Sequence, residues 1–177
     1  MTKFEIWKLA ISALIPLSVV FLGCLVGRYS KRYDERVRLH GKIIEKRVEL
    51  FEEISQPLNV IYTYIIRVGS WKEHTPYDII QEKREVDGLM YSNRPYWTEV
   101  LFSTYESFMN ASFETHTGHA SDAKIKSDYN KYKDLPNWSD SYIEAFSGKV
   151  DKKQLNKTNE KLMQVFAQEF GFVQKKA

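Results

Sequence analysis

Cysteine is nearly absent from this sequence of 177 residues, and the single one, Cys24, lies inside an apolar stretch. A disulfide framework is therefore excluded, and the cysteine usage does not mark an oxidising compartment. Glycine and proline are also scarce, with 8 and 5 residues, which predicts long regular elements joined by few turns. Aromatic residues make up 14% of the chain, so we expect a packed core rather than disorder.

The sequence also lacks the motifs of common catalytic and cofactor sites. It contains no glycine-rich phosphate loop and no dinucleotide-binding fingerprint. His116 and His119 are close in sequence, but Gly118 between them favours a loop, and zinc sites usually have three or four protein ligands. Ser121 and Lys124 have the spacing of a serine–lysine nucleophile pair, without the companion motifs that would support one. We therefore predict no enzyme, no metal site and no cofactor.

Residues 9–27, LAISALIPLSVVFLGCLVG, form an apolar run without a charge. At about 1.5 Å per residue this run makes a helix of roughly 28 Å, which is enough to cross the hydrocarbon core of a bilayer. It predicts one transmembrane helix. Two alternatives remain: a cleaved secretory signal, although no small-residue cleavage site follows, and a lipoprotein signal ending at Cys24, although Phe21 and Leu22 depart from the usual pattern.

Basic residues are distributed unevenly around this run. Two of them, Lys3 and Lys8, precede it, whereas eight lie within residues 28–47. Because the cytoplasmic flanks of membrane spans are rich in Lys and Arg, we expect a span in the inner membrane, with the N-terminus outside and the C-terminal domain in the cytoplasm. The first basic residues after the run are expected to contact anionic lipid headgroups: Arg28, Lys31 and Arg32.

Gly23 and Gly27 form a G-x-x-x-G motif near the end of the run. Small residues four apart let two helices approach closely in lipid, so the motif predicts a homo-oligomer. The alternative is that glycine is simply common in membrane helices. A single span cannot line a pore or channel, whereas several copies could.

Hydrophobic periodicity predicts an all-α fold in three segments. These are an N-terminal segment with the span (1–27), a basic juxtamembrane amphipathic helix (28–57) and a cytosolic helical domain (58–177). We expect the membrane helix to continue to about Glu53, with self-association along its first half and packing on its own domain along the second. Residues 58–68 are apolar nearly all round and are expected to form a buried central helix.

Capping and breaking residues predict the remaining helices of a cytosolic multi-helix bundle. Thr75 and Pro76 are typical of a helix start, and Asp151 is expected to cap the last helix. The other predicted helices cover residues 76–91, 97–113, 121–133 and 139–146.

Basic and aromatic residues alternate in AKIKSDYNKYKD, residues 123–134, and again near Pro95. Lysines can meet phosphates and aromatic faces can stack on bases, so this pattern indicates a nucleotide or single-stranded nucleic acid as ligand. The alternative is an ordinary solvated helix face. The candidate residues are Lys124, Lys126, Tyr129, Lys131, Tyr132 and Lys133, with Arg94 and Tyr96.

This layout of a short span, a stiff helix and a helical domain resembles the small single-span effectors of bacterial anti-phage operons. Some of these effectors are gated by a nucleotide or oligonucleotide that a partner enzyme makes. The resemblance covers the architecture of the whole chain and rests on no diagnostic motif, so no family residues carry over. It implies a self-associating membrane effector in antiviral defence, with a partner enzyme from the same operon. The alternative is a membrane-anchored adaptor or scaffold that docks a cytosolic protein.

Overall fold

The computed structural model of the protein describes residues 3–115, 122–148 and 150–171, with side chains from residue 21 onwards. The fold is all-α, as predicted: four α-helices dominate, and the strands found in these ranges have two residues each. The chain divides into two compact units, Met1–Ile44 and Glu45–Ala177.

Helix α1 covers 64 residues, Lys3–Ile66, and includes Pro57 in its interior. The prediction of a helix end near Glu53, followed by a separate helix over 58–68, is therefore wrong. An interior proline costs about 3 kcal/mol because a hydrogen bond is lost and the ring crowds the preceding turn. The side chains of Ile54 and Leu58 on either side are fully buried. Their burial together contributes about 3–6 kcal/mol, which matches or exceeds that cost.

Helices α2 (Pro76–Ser92) and α3 (Glu99–Ser112) both begin at capping residues. The start of α2 at Thr75 and Pro76 confirms the prediction, whereas the cap of α3 at Thr98 is not among the predicted signals. The Thr75 hydroxyl accepts a hydrogen bond from the backbone N–H of Asp78 at 3.3 Å, and the Asp78 carboxylate accepts one from the Thr75 N–H at 2.7 Å. This reciprocal pair satisfies two backbone donors at the start of α2. Thr98 caps α3 by accepting from the N–H of Leu101 at 3.2 Å.

The segment 121–133, predicted as a helix, is not one over its described residues. Strand β2 (Lys124–Ile125) pairs antiparallel with β1 (Phe113–Glu114), and only a short 3₁₀ helix, Tyr129–Lys131, follows. The Ile125 backbone also bridges to Phe146, so its fully buried side chain enters the core between two partners that are distant in sequence. The predicted helix over 139–146 is a 3₁₀ helix, Asp140–Ala145, rather than an α-helix.

Helix α4, Lys152–Glu169, begins at the predicted cap, where the Asp151 carboxylate accepts from the N–H of Gln154 at 2.9 Å. It packs along α3, and the Phe166 ring lies 4.8 Å from the Phe51 ring of α1. The fully buried side chains of this helical bundle come from every part of the second unit: Ile54, Leu58, Ile61, Tyr64, Ile79, Val86, Met90, Leu101, Phe108, Ile125, Tyr132, Leu155 and Leu162.

An ion pair joins α1, α4 and the turn before α3. The Nη1 of Arg47 donates to the Glu169 carboxylate at 2.8 Å, and its Nε donates to the backbone carbonyl of Tyr96. The Thr98 hydroxyl donates to the other Glu169 oxygen. The side chains of Arg47 and Glu169 are only 19% and 12% exposed, so this cluster fixes three segments in a partly dry environment.

Candidate ligand-binding surface

Tyr132, one of the predicted ligand-binding residues, belongs to the core. Its ring stacks on the Tyr64 ring at 5.0 Å, and none of its surface is exposed. Its hydroxyl donates to the Tyr64 carbonyl at 3.2 Å and lies 3.1 Å from the Ser127 hydroxyl. Burial raises the pKa of the Tyr132 phenol, which stays neutral. The ring therefore cannot stack on a base.

Lys124 and Lys126, two more of the predicted ligand-binding residues, have different surroundings in the structure. The ammonium of Lys126 donates to the backbone carbonyl of Asn110 and so ties β2 to the end of α3. Lys124 lines an open cleft of about 480 Å³ that it shares with Tyr77 and Glu144. This cleft carries charges of both signs, and an anionic ligand would meet the carboxylate as well as the ammonium.

Arg94 and Tyr96 have structural partners. The Arg94 guanidinium pairs with Glu99, donates to the Trp97 carbonyl at 3.1 Å and lies 4.3 Å from the centre of the Phe102 ring. Tyr96 is half-buried against the core, and its carbonyl accepts from Arg47. These contacts account for the positions of both side chains without a ligand.

Tyr129, Lys131 and Lys133 flank the buried Tyr132 in the chain. Both lysines are exposed, and the Lys133 ammonium lies 4.8 Å from the centre of the half-buried Tyr129 ring. The loop after α1 adds Trp71, whose ring meets the Tyr132 ring edge-on at 5.6 Å. We call the set Trp71, Lys72, Tyr129, Lys131 and Lys133 the Tyr132 surface.

Sequence reasoning missed the contribution of the loop after α1 to this surface. Trp71 and Lys72 are adjacent, and the Lys72 ammonium lies 5.8 Å from the Trp71 ring. The alternation of basic and aromatic residues that extends over residues 123–134 is limited here to two residues, which is too short to indicate a binding site. The placement of Trp71 beside Tyr132 follows from tertiary packing, which no local pattern shows.

A second polar cluster lies between α2 and α3. The Lys83 ammonium and the Tyr105 hydroxyl each donate to one oxygen of the Asp87 carboxylate. Burial, followed by the hydrogen bond to Asp87, raises the pKa of Tyr105, so the phenol stays neutral. The cleft of about 360 Å³ beside this cluster also has Tyr91 and Glu106 at its edge. The three central groups satisfy one another, which suits a structural network better than acid–base chemistry.

The described residues contain no group of three His, Cys, Asp or Glu side chains that could hold a metal ion. His116, His119 and Ser121 lie outside the described residues. The predicted metal pair and the serine of the predicted nucleophile pair therefore lie outside the part of the chain that the structure describes.

The predicted span lies only partly within the residues whose side chains are described, because 9–20 fall outside them. Among the residues that the structure describes, no helix has the length and apolarity needed to cross a membrane. Gly23 and Gly27 are exposed, and a Cβ built on either one meets no atom within 4 Å. The residues predicted to contact lipid headgroups are also exposed: Arg28, Lys31 and Arg32.

No protein-family model, no curated protein and no solved structure matches the chain. The geometry of its own residues therefore carries the functional argument.

Proposed function

We propose that the chain is a self-associating single-pass membrane effector whose cytosolic helical domain controls the arrangement of its spans. The observation that carries this proposal is the extent of α1, Lys3–Ile66. One helix includes both the charge-free run 9–27 and the residues from Leu50 to Ile65 that enter the core. A change in the domain would therefore act on the spans through a continuous helix.

Exposed apolar side chains in the first unit support a bilayer as its surroundings. Phe21, Leu22 and Val26 are 66%, 58% and 67% exposed, and all three lie near the end of the charge-free run. A contiguous apolar surface of this kind is uncommon in water and marks an interaction with a membrane or another protein. The basic residues that follow would meet anionic headgroups and keep the domain in the cytoplasm.

The Tyr132 surface supports control by a phosphate-bearing ligand. It combines exposed ammonium groups with half-buried rings, which suits a nucleotide or a short single strand. A partner enzyme from the same operon would supply that ligand in bacterial defence. Binding would reorganise the contacts of Tyr132 with the last turn of α1, and close packing at Gly23 and Gly27 would then open a path through several copies.

The experiment measures membrane potential with a voltage-sensitive dye in bacteria that express the full chain. The test variant is the double substitution Gly23→Leu and Gly27→Leu, which blocks close approach of two helices. Its matched control is Gly88→Leu, an exposed position inside α2 where a Cβ meets no atom within 4 Å. When the partner enzyme is co-expressed to supply the ligand, we expect the wild type and the control to depolarise the membrane and the double variant to leave it polarised.

Two results would contradict the proposal. One is a wild-type chain that leaves the potential intact when a nucleotidyltransferase or cyclase encoded beside it is co-expressed. The other is a double variant that depolarises as strongly as the control. A harmless chain that co-purifies with one stable protein partner would favour the adaptor instead.

A further inference from the structure

Apolar side chains form a continuous stripe along one face of α1 in the first unit. The residues of this unit whose side chains are described, 21–44, are all exposed, and Tyr29, Tyr33 and Val37 are 78%, 62% and 55% exposed. The stripe advances by steps of four, three and four residues, and His40 is its polar member. At about 100° per residue, each position lies within about 40° of Tyr33. We call this set the Tyr33 stripe: Leu22, Val26, Tyr29, Tyr33, Val37, His40 and Ile44.

The Tyr33 stripe repeats every 11 residues. Leu22, Tyr33 and Ile44 are 11 positions apart, and so are Val26 and Val37. An 11-residue repeat has about 3.67 residues per turn, close to the value of about 3.6 for a straight α-helix, so the stripe stays on one face. A regular repeat of this kind is typical of helices that pack along each other with a slight right-handed supercoil. The repeat therefore indicates a second helix as the partner of this face.

The two flanks of the stripe carry opposite charges. Asp34 lies about 100° from Tyr33 on one flank, whereas Arg36 and Arg32 lie about 60° and 100° from it on the other. All three charged side chains are exposed, and the salt bridges found among the described residues do not include them. Parallel helices bring the acidic flank of one against the basic flank of the other, whereas antiparallel helices bring like flanks together. The stripe is therefore complementary to itself between parallel copies of this chain.

The flanks also differ in the size of their side chains. Gly23 and Gly27 lie about 80° and 120° from Tyr33, on the same side as Asp34. Leu25, which is 46% exposed, lies about 80° from Tyr33 on the opposite side. In parallel copies the small flank of one helix faces the larger side chains of the next. The stripe therefore continues the contact that the glycine motif predicts for the spans.

Two shallow grooves on the basic flank have the spacing that receives a side chain from a facing helix. One is lined by Tyr29, Arg32, Tyr33 and Arg36, and the other by Leu25, Arg28, Tyr29 and Arg32. Each set follows the positions i, i+3, i+4 and i+7, and four residues so placed form the hole in knobs-into-holes packing. With two copies in register, Asp34 of one lies about 3 Å along the axis from both Arg32 and Arg36 of the other, because each is two residues away.

We propose that the Tyr33 stripe packs against the Tyr33 stripe of a second copy of this chain, with the two helices parallel and in register. Asp34 of each copy pairs with Arg32 and Arg36 of the other. The stripe is short, since coiled coils usually extend over three or four heptads, and it therefore acts together with the contact at Gly23 and Gly27. This inference rests on the self-association in the proposed function, and it adds the orientation, the register and the contact outside the spans.

The test is disulfide cross-linking in membranes from bacteria that express the full chain. Cys24, the single native cysteine, is replaced by serine, and a cysteine is introduced by Tyr33→Cys or by the control Glu35→Cys. Glu35 is exposed and lies about 160° from Tyr33, on the opposite face of the helix. Copper phenanthroline oxidises the membranes, and non-reducing gel electrophoresis separates single chains from cross-linked dimers. We expect Tyr33→Cys to form the dimer and Glu35→Cys to remain a single chain.

Charge exchange in the Tyr33→Cys chain tests the pairing of the flanks. Asp34→Arg places positive charge on both flanks, and it should slow cross-linking by about two- to fivefold, the range for loss of an exposed ion pair. Adding Arg32→Asp and Arg36→Asp exchanges the charges of the flanks and should restore the rate. The matched control Glu35→Arg makes the same change of charge on the opposite face and should leave the rate unchanged.

Four results would overturn the inference. They are the absence of a dimer for Tyr33→Cys, equal cross-linking of Tyr33→Cys and Glu35→Cys, cross-linking of Tyr33→Cys only to a different protein, and equal rates for Asp34→Arg and the charge-exchanged chain. The native mass of the wild type in detergent separates these results from failure of the effector proposal. An oligomer without the cross-link at Tyr33 refutes the stripe contact alone, whereas a single chain refutes both.

Discussion

The ion pair of Arg47 and Glu169 offers the sharpest prediction about stability. Removing one member of a buried pair costs about 3–5 kcal/mol because the remaining charge has no partner. The two side chains retain 19% and 12% of their exposure, so solvent screens the loss, and we expect about 3 kcal/mol for Glu169→Gln. For a domain of this size that lowers the melting temperature by about 10 °C.

Urea denaturation of the full chain in mild detergent measures this loss through the fluorescence of its 4 tryptophans. One of them, Trp97, is buried with its ring 6.3 Å from the Phe166 ring. Arg47→Met should be comparably destabilising, and the double variant should lose less than the sum of the two single losses. Lys46→Met is the matched control, since its partner Glu49 and Lys46 itself are 56% and 40% exposed. Equal stability of wild type and Glu169→Gln, or an equal loss in the control, would refute the reasoning.

Three further predictions concern the helical domain. Thr75→Ala removes the hydroxyl that accepts from Asp78, and it should cost about 1 kcal/mol in the same urea assay. Gly88→Ala should stabilise the exposed interior of α2 by about 0.5–1 kcal/mol, and a loss would mean that the position is not open. Tyr64→Phe should stabilise by about 1 kcal/mol because no described residue pairs with its hydroxyl, whereas Tyr105→Phe should destabilise by about 1–2 kcal/mol through its lost bond to Asp87. Burial raises the pKa of both phenols above the unfolded value of about 10. Above that pH the unfolded chain binds fewer protons than the folded chain, so the free energy of unfolding falls as the pH rises. Each Phe variant should show a smaller fall.

The helix starts were predictable because the chemistry that sets them is local. Thr75 with Pro76 and Asp151 are capping signals read over four residues, and each forms the expected hydrogen bonds. Pro57 shows the limit of such signals. Its local cost favours a helix end, yet the burial of Ile54 and Leu58 on either side keeps α1 continuous.

The segment around Ile125 was not predictable from its own sequence. Its partners Phe113 and Phe146 lie on both sides of it in the chain, and the pairing with them replaces the expected helix. Tyr132 illustrates the same point for the site. Its lysine neighbours in the sequence predict an exposed ring, whereas packing buries the ring in the core.

Self-association of the full chain is the central claim, and its mass in detergent by native mass spectrometry tests it most directly. The chain has a mass of 20.9 kDa, and for the wild type and for Gly88→Leu we predict a mass that corresponds to at least a dimer. The double variant with leucine at Gly23 and Gly27 should release the single chain. A wild type that appears only at 20.9 kDa would contradict the account.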